Sequence, residues 1–124
     1  MATRSAAGTV PTAVHETKAF DTIAAAFARL EDADRREIGR GLMATGKEPD
    51  GTYTLPYFIG LIAWPQMRPQ AIYQLHRAAL EGQCGVLAAA LPSEDPWGIV
   101  ARALFELQAH ADAGELTDDL PNPD

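Results

Sequence analysis

The sequence has little of what stabilises small secreted proteins or anchors proteins in membranes. It contains a single cysteine, Cys84, so no disulfide can form within the chain. The apolar run at residues 57–64 is only eight residues long, whereas a helix needs about 20 apolar residues to cross a bilayer. Residues 1–14 lack the apolar stretch of a secretory signal. These absences predict a protein of the reducing cytoplasm that does not act in a membrane.

Positive charge is also scarce, which bears on nucleic-acid binding. The net charge is −7, and residues 103–124 hold six acidic residues and no Lys or Arg. A nucleic-acid-binding surface requires a dominant basic patch, which this sequence lacks, so a nucleic-acid partner is excluded. The acidic, proline-containing end predicts a disordered tail over 115–124. We expect a flexible N-terminal tail over 1–13 and a helical domain over 14–114.

What the sequence does contain is the pattern of an all-α domain. Apolar residues make up 47% of the chain and charged residues 22%, which is typical of a folded globular protein. Apolar residues recur at spacings of three and four in three segments: 14–30, 69–82 and 97–113. A shorter helix is predicted to end near Thr45, with Gly46 in a left-handed turn. The sequence therefore predicts a small single-domain bundle of about four to five helices.

The segment 47–60 allows two interpretations. Its tyrosines and threonines favour an extended chain or a short hairpin, whereas Pro56 suits the first turn of a helix. Short apolar runs do not separate these alternatives by periodicity. A strand would need a partner with alternating apolar residues, and no such segment is convincing. We therefore favour a short buried helix that ends before Pro65, with Trp64 packed against the last helix near Trp97 or Leu104.

The sequence contains almost no pattern that is typical of a catalytic or metal-binding site. The three histidines are scattered, and no nucleotide-binding or zinc-binding motif is present, so we predict no metal and no cofactor. Two weak candidates remain. Cys84 resembles a nucleophile only if His76 lies close to it in the fold, and Glu106 and His110 share a helix face at a spacing of four. Both patterns are also typical of ordinary core and surface residues.

The aromatic segment 53–68 is the strongest candidate for a functional surface. Tyr, Trp, Met and Arg are enriched at the centres of protein interfaces. The residues of these types here, with one phenylalanine, are Tyr53, Tyr57, Phe58, Trp64, Met67 and Arg68. We therefore predict a non-catalytic helical interaction module, an adaptor, chaperone or inhibitor subunit, which binds another protein or a second copy of itself. The alternative is a small enzyme that uses Cys84 or the pair Glu106 and His110.

Overall fold

The structure is a computed structural model that describes residues 17–64, 69–117 and 120–123. Within these residues there are six helices: α1 (Lys18–Ala28), α2 (Asp32–Thr45), α3 (Leu55–Ala63), α4 (Pro69–Leu80), α5 (Gln83–Ala90) and α6 (Trp97–Asp112). The predicted all-α single domain is confirmed. The predicted count of four to five helices is wrong, because the short segments α3 and α5 each form a separate helix.

The segment 47–60 forms a turn followed by a helix. Lys47 and Tyr53 make one isolated antiparallel bridge, and the chain becomes helical two residues later at Leu55. Pro56 lies in the first turn of α3, where its missing N–H costs no hydrogen bond. In the described part of the chain no strand is present, so the hairpin alternative reduces to this single bridge.

Glycines follow three of the helices, and two of these glycines adopt the left-handed conformation. Gly82 and Gly114 follow α4 and α6 with φ values of +80° and +78°, a conformation that glycine adopts without strain. Gly46 has φ −85°, so the predicted left-handed turn is wrong there. Position 46 requires glycine for a steric reason, not for a left-handed conformation. A Cβ atom at Gly46 would collide with the backbone nitrogen of Tyr57, which lies in α3.

Helix α4 lies at the centre of the domain. It packs against α1, α3, α5 and α6, and Ile72 and Leu75 are fully buried on it. The same core receives Ile23 from α1 and Leu104 from α6. None of the helices in the described residues is long and apolar enough to cross a membrane.

The backbones of helices α2 and α3 lie unusually close together where the two helices cross. A Cβ atom on Gly60 of α3 would lie 2.6 Å from the carbonyl oxygen of Gly39 and from Cγ of Met43. Real Cβ contacts are not this short, so the crossing depends on the absence of a side chain at Gly60. The close crossing fixes α3, and with it the aromatic residues that precede and follow it.

The core extends past the last helix. Leu116 is 8% exposed and belongs to the main hydrophobic cluster. Nε2 of the buried His76 lies 2.5 Å from the backbone carbonyl oxygen of Thr117, a hydrogen bond in which the imidazole N–H donates. The tail boundary at residue 115 stays a prediction, but these contacts attach residues 116 and 117 to the folded domain.

Candidate protein-interaction site

Three of the predicted site residues form one aromatic cluster at the start of α3. The rings of Tyr53 and Tyr57 stack with their centroids 4.0 Å apart and an interplanar angle of 22°. Phe58 meets Tyr57 edge to face at 5.5 Å. Tyr57 and Phe58 are half-buried, whereas Tyr53 is 45% exposed. Tyr53 therefore presents an aromatic surface to solvent while its partner holds the ring in place.

The turn that carries Tyr53 is held by its own hydrogen bonds. The amide of Thr54 donates to the carbonyl of Gly46 at 2.8 Å, and the amide of Glu48 donates to the carbonyl of Thr52 at 2.9 Å. Oδ1 of Asp50 accepts from the hydroxyl of Thr52 at 2.7 Å and from its amide at 3.0 Å. These two bonds favour the carboxylate and lower the pKa of Asp50. The exposed ring is thus supported by an ordered turn.

The cluster forms one wall of a cleft of about 430 Å³. The other wall comes from α4, the turn after it and the first residue of α5, and combines one aromatic ring with polar side chains. The residues lining the cleft are Tyr53, Thr54, Leu55, Phe58, Tyr73, Gln74, Arg77, Ala78, Glu81 and Gln83. Arg77 forms an ion pair with Glu81, with an Nη2 to Oε2 distance of 3.7 Å. The cleft therefore offers aromatic surface for apolar groups and several hydrogen-bonding groups.

Trp64 lies away from this cleft. Its indole packs on Gly39 of α2, whereas Trp97 packs on Gly41. Positions two apart on a helix point to nearly opposite sides, so the two tryptophans lie on different faces of α2. The prediction that Trp64 packs near Trp97 is therefore wrong, and the alternative, packing near Leu104, stays a prediction.

The predicted interaction residues of segment 53–68 therefore do not form one surface. Tyr53, Tyr57 and Phe58 are brought together, while Trp64 lines a separate pocket that shares no residue with the cleft. Met67 and Arg68 lie outside the described residues.

The structure gives Cys84 the surroundings of a core residue. The side chain is fully buried, and its Sγ lies 3.9 Å from the carbonyl oxygen of Leu75. Burial raises the pKa of the thiol to about 12, so the thiolate form needed for nucleophilic attack is strongly disfavoured. His76 is engaged with Thr117 through Nε2. The arrangement does not support a cysteine–histidine pair.

The second catalytic candidate forms part of a surface cluster. Nε2 of His110 lies 3.6 Å from Oε2 of Glu106, as the helical spacing indicated. Nδ1 of His110 lies 2.7 Å from Oε1 of Glu115, which is also 4.0 Å from Nζ of Lys18. The cluster thus ties the C-terminal end of α6 to the start of α1. Among the described residues, no group of three or more His, Cys, Asp or Glu side chains is placed to hold a metal ion.

Sequence reasoning missed the α4 wall of the cleft. Tyr73 and Arg77 are four residues apart and therefore share a helix face. The sequence could have indicated this polar and aromatic face of α4, because it lies beside the apolar positions that predicted the helix. What the sequence did not show was that the turn at 47–53 brings Tyr53 opposite this face.

Comparison of the chain with protein-family models, with curated proteins and with solved structures finds no match.

Proposed function

We propose that this protein is a non-catalytic helical interaction module, an adaptor, chaperone or inhibitor subunit, which binds a segment of another protein in the cleft between the aromatic cluster and α4. The observation that carries the proposal is the exposed ring of Tyr53, stacked on Tyr57 at the rim of the cleft. A ring already held in one orientation loses little conformational entropy on binding.

The chemistry of the cleft favours a protein segment with an apolar anchor. Tyr53, Phe58 and Tyr73 provide aromatic surface, and such residues commonly dominate the binding energy of interfaces. Gln74 and Gln83 offer amide groups that can pair with the backbone of an extended segment. This combination matches the usual anatomy of an interface, in which an apolar centre is bordered by polar groups.

The alternative, a small enzyme, has weaker support. Its nucleophile form requires a thiolate at Cys84, which burial opposes. Its acid–base form relies on Glu106 and His110, and Nδ1 of that histidine also lies 2.7 Å from Oε1 of Glu115. No observation favours either form over the interaction module.

The proposal is tested by capturing partners from the source cell with immobilised wild-type protein and with Tyr53→Ser. Phe105→Ser is the matched control, because Phe105 is an aromatic residue of similar exposure, 50%, on α6 and does not line the cleft. We expect a partner that wild type and Phe105→Ser capture equally and that Tyr53→Ser loses. Melting temperatures measured beside the capture establish that all three proteins are folded.

Light scattering on purified protein distinguishes a second copy of the chain from a different partner. A dimer that Tyr53→Ser converts to a monomer would identify the occupant as another copy. If wild type binds neither itself nor any protein whose capture depends on Tyr53, the cleft is not a docking site.

A further inference from the structure

The chain contains one Asp-Gly sequence, Asp50–Gly51, and it lies in the exposed turn before α3. At such a sequence the amide nitrogen of the glycine can attack Cγ of the aspartate and close a five-membered imide ring. Glycine hinders this attack least, because it has no Cβ atom. The residue types at 50 and 51 therefore suit a rearrangement of aspartate to isoaspartate, and the structure decides whether the turn has room for it.

The surroundings of the turn leave that room. Asp50 and Gly51 are both exposed, and a Cβ atom on Gly51 would meet no atom within 4 Å beyond its two chain neighbours. Exposed turns also open locally more readily than core helices. The other aspartates in the described residues lack these conditions, because each lies in a helix or precedes a proline: Asp21, Asp32, Asp34, Asp112 and Asp95.

Three hydrogen bonds restrain the two reacting groups in the folded turn. Oδ1 of Asp50 accepts from the hydroxyl of Thr52 at 2.7 Å and from its amide at 3.0 Å. The nucleophile is also engaged, since the amide of Gly51 donates to the carbonyl oxygen of Glu48 at 3.0 Å. The bonds from Thr52 lower the pKa of Asp50, and an ionised carboxylate reacts poorly because its oxygen cannot leave as water.

We propose that Asp50–Gly51 is a site of spontaneous isomerisation to isoaspartate, and that Thr52 restrains this reaction in the folded protein. In the first step the bond from Gly51 N to Asp50 Cγ forms, the bond from Cγ to one carboxyl oxygen breaks, and that oxygen leaves as water with the carboxyl and amide protons. Water then adds to one of the two imide carbonyls. Cleavage of the bond from nitrogen to Cγ restores aspartate, whereas cleavage of the bond from nitrogen to the backbone carbonyl carbon gives isoaspartate. The reaction needs only water and leaves the mass of the protein unchanged.

Isoaspartate would lengthen the main chain of the turn by one carbon atom. Two backbone hydrogen bonds span the modified position: the amide of Glu48 donates to the carbonyl of Thr52 at 2.9 Å, and the amide of Thr54 donates to the carbonyl of Gly46 at 2.8 Å. Both depend on the present length of the turn, so we expect isoaspartate to weaken them and to displace Tyr53. The modification itself does not depend on the proposed function of the cleft.

Ageing of the purified protein at physiological temperature, followed by peptide mapping, tests the site. Fragmentation by electron transfer distinguishes isoaspartate from aspartate, which has the same mass. We expect isoaspartate to accumulate at residue 50 in the folded protein, and faster in guanidinium chloride. Asp50→Glu keeps the carboxylate but requires a less favourable six-membered ring, so it should form no such product. Absence of isoaspartate at residue 50 from the aged folded protein would overturn the proposal, whether or not the unfolded chain forms it.

Thr52→Ala tests the restraint. It removes the hydroxyl bond and should speed formation of isoaspartate about two- to tenfold, the change expected from the loss of one hydrogen bond. Thr54→Ala is the matched control, because the hydroxyl of Thr54 bonds to the carbonyl of Gly46, and it should age like the wild type. A rate in Thr52→Ala no faster than that of the wild type, or equal acceleration in both variants, would contradict the role of Thr52.

Discussion

A Cβ atom on Gly39 would lie 2.7 Å from both Cδ1 and Nε1 of Trp64. The indole is a rigid ring, and the same Cβ atom would also lie 3.0 Å from Cβ of Ala63, so the added methyl group would be crowded by two neighbours. Gly39→Ala is therefore expected to lower the free energy of unfolding by about 1–3 kcal/mol, the usual cost of overpacking. Urea denaturation measures this loss directly.

Gly41 provides the control for this prediction, since it lies in the same helix. A Cβ atom there would be 3.5 Å from the ring of Trp97, which is an ordinary van der Waals contact. Gly41→Ala should therefore stabilise the protein by up to about 1 kcal/mol, because alanine is the better helix former. If Gly39→Ala stabilises the protein as Gly41→Ala does, Trp64 does not restrict position 39.

The buried thiol of Cys84 predicts a specific dependence of stability on alkaline pH. The folded-state pKa is raised to about 12, whereas an unfolded cysteine titrates near 8.5. The stabilising contribution is complete below the unfolded pKa and is lost as pH rises toward the folded value. Above about pH 9, the stability difference between wild type and Cys84→Ala should shrink by about 1.4 kcal/mol per pH unit.

A thiol reagent provides a kinetic check of the same burial. We expect Cys84 to react at the rate at which the protein opens, and rapidly once urea unfolds it. Immediate reaction in the native protein, or a stability difference that does not change with pH, would mean that the thiol is accessible. It would also restore Cys84 as a candidate nucleophile.

The sequence predicted the helices whose apolar positions follow a clear period. The segments 14–30 and 97–113 were predicted from apolar positions at spacings of three and four. Ile23 and Phe27 in α1, and Val100 and Leu104 in α6, follow this spacing and are buried. The short helices were harder to predict, because α5 carries apolar or small residues on all sides and has no distinct face. Gly46 was misjudged because its constraint comes from Tyr57 in another helix, which local sequence does not reveal.

The candidate sites depend still more on contacts between distant segments. Tyr53 was recognised by its residue type, but the cleft also requires Arg77 from α4. The pocket at Trp64 is lined by Arg35 from α2 together with residues of α1 and α3, so it depends on how these helices pack. Sequence spacing identifies residues that share a helix face, whereas pairing between helices is determined by packing.

The turn at 47–53 allows a test of the cause of the lowered Asp50 pKa. The hydroxyl of Thr52 is the largest contributor, followed by its amide. Thr52→Ala should therefore raise the pKa of Asp50 toward the ordinary value for aspartate, as followed by NMR titration of the carboxyl group. Thr54→Ala is the control, since the hydroxyl of Thr54 bonds to Gly46 and not to Asp50.

The hydrogen bond from Thr52 to Asp50 also determines how the stability of this turn depends on pH. A lowered pKa means that the carboxylate stabilises the fold above the unfolded pKa, and that this contribution is lost as pH falls below about 4. An Asp50 pKa that Thr52→Ala leaves unchanged would refute the assignment of the cause.

A substitution at Leu116 tests whether the folded domain continues past α6 or whether residue 116 belongs to the disordered tail predicted over 115–124. Its side chain is 8% exposed and lies in the main core cluster, beyond the end of α6. Leu116→Ala should lower the free energy of unfolding by about 2–3 kcal/mol, near the lower end of the range for buried leucines because the chain end can relax. Thr117→Ala keeps the carbonyl that bonds to His76 and should cost almost nothing. Equal stability of the two variants in urea would return residue 116 to the disordered tail, whereas the expected difference extends the folded domain to Thr117.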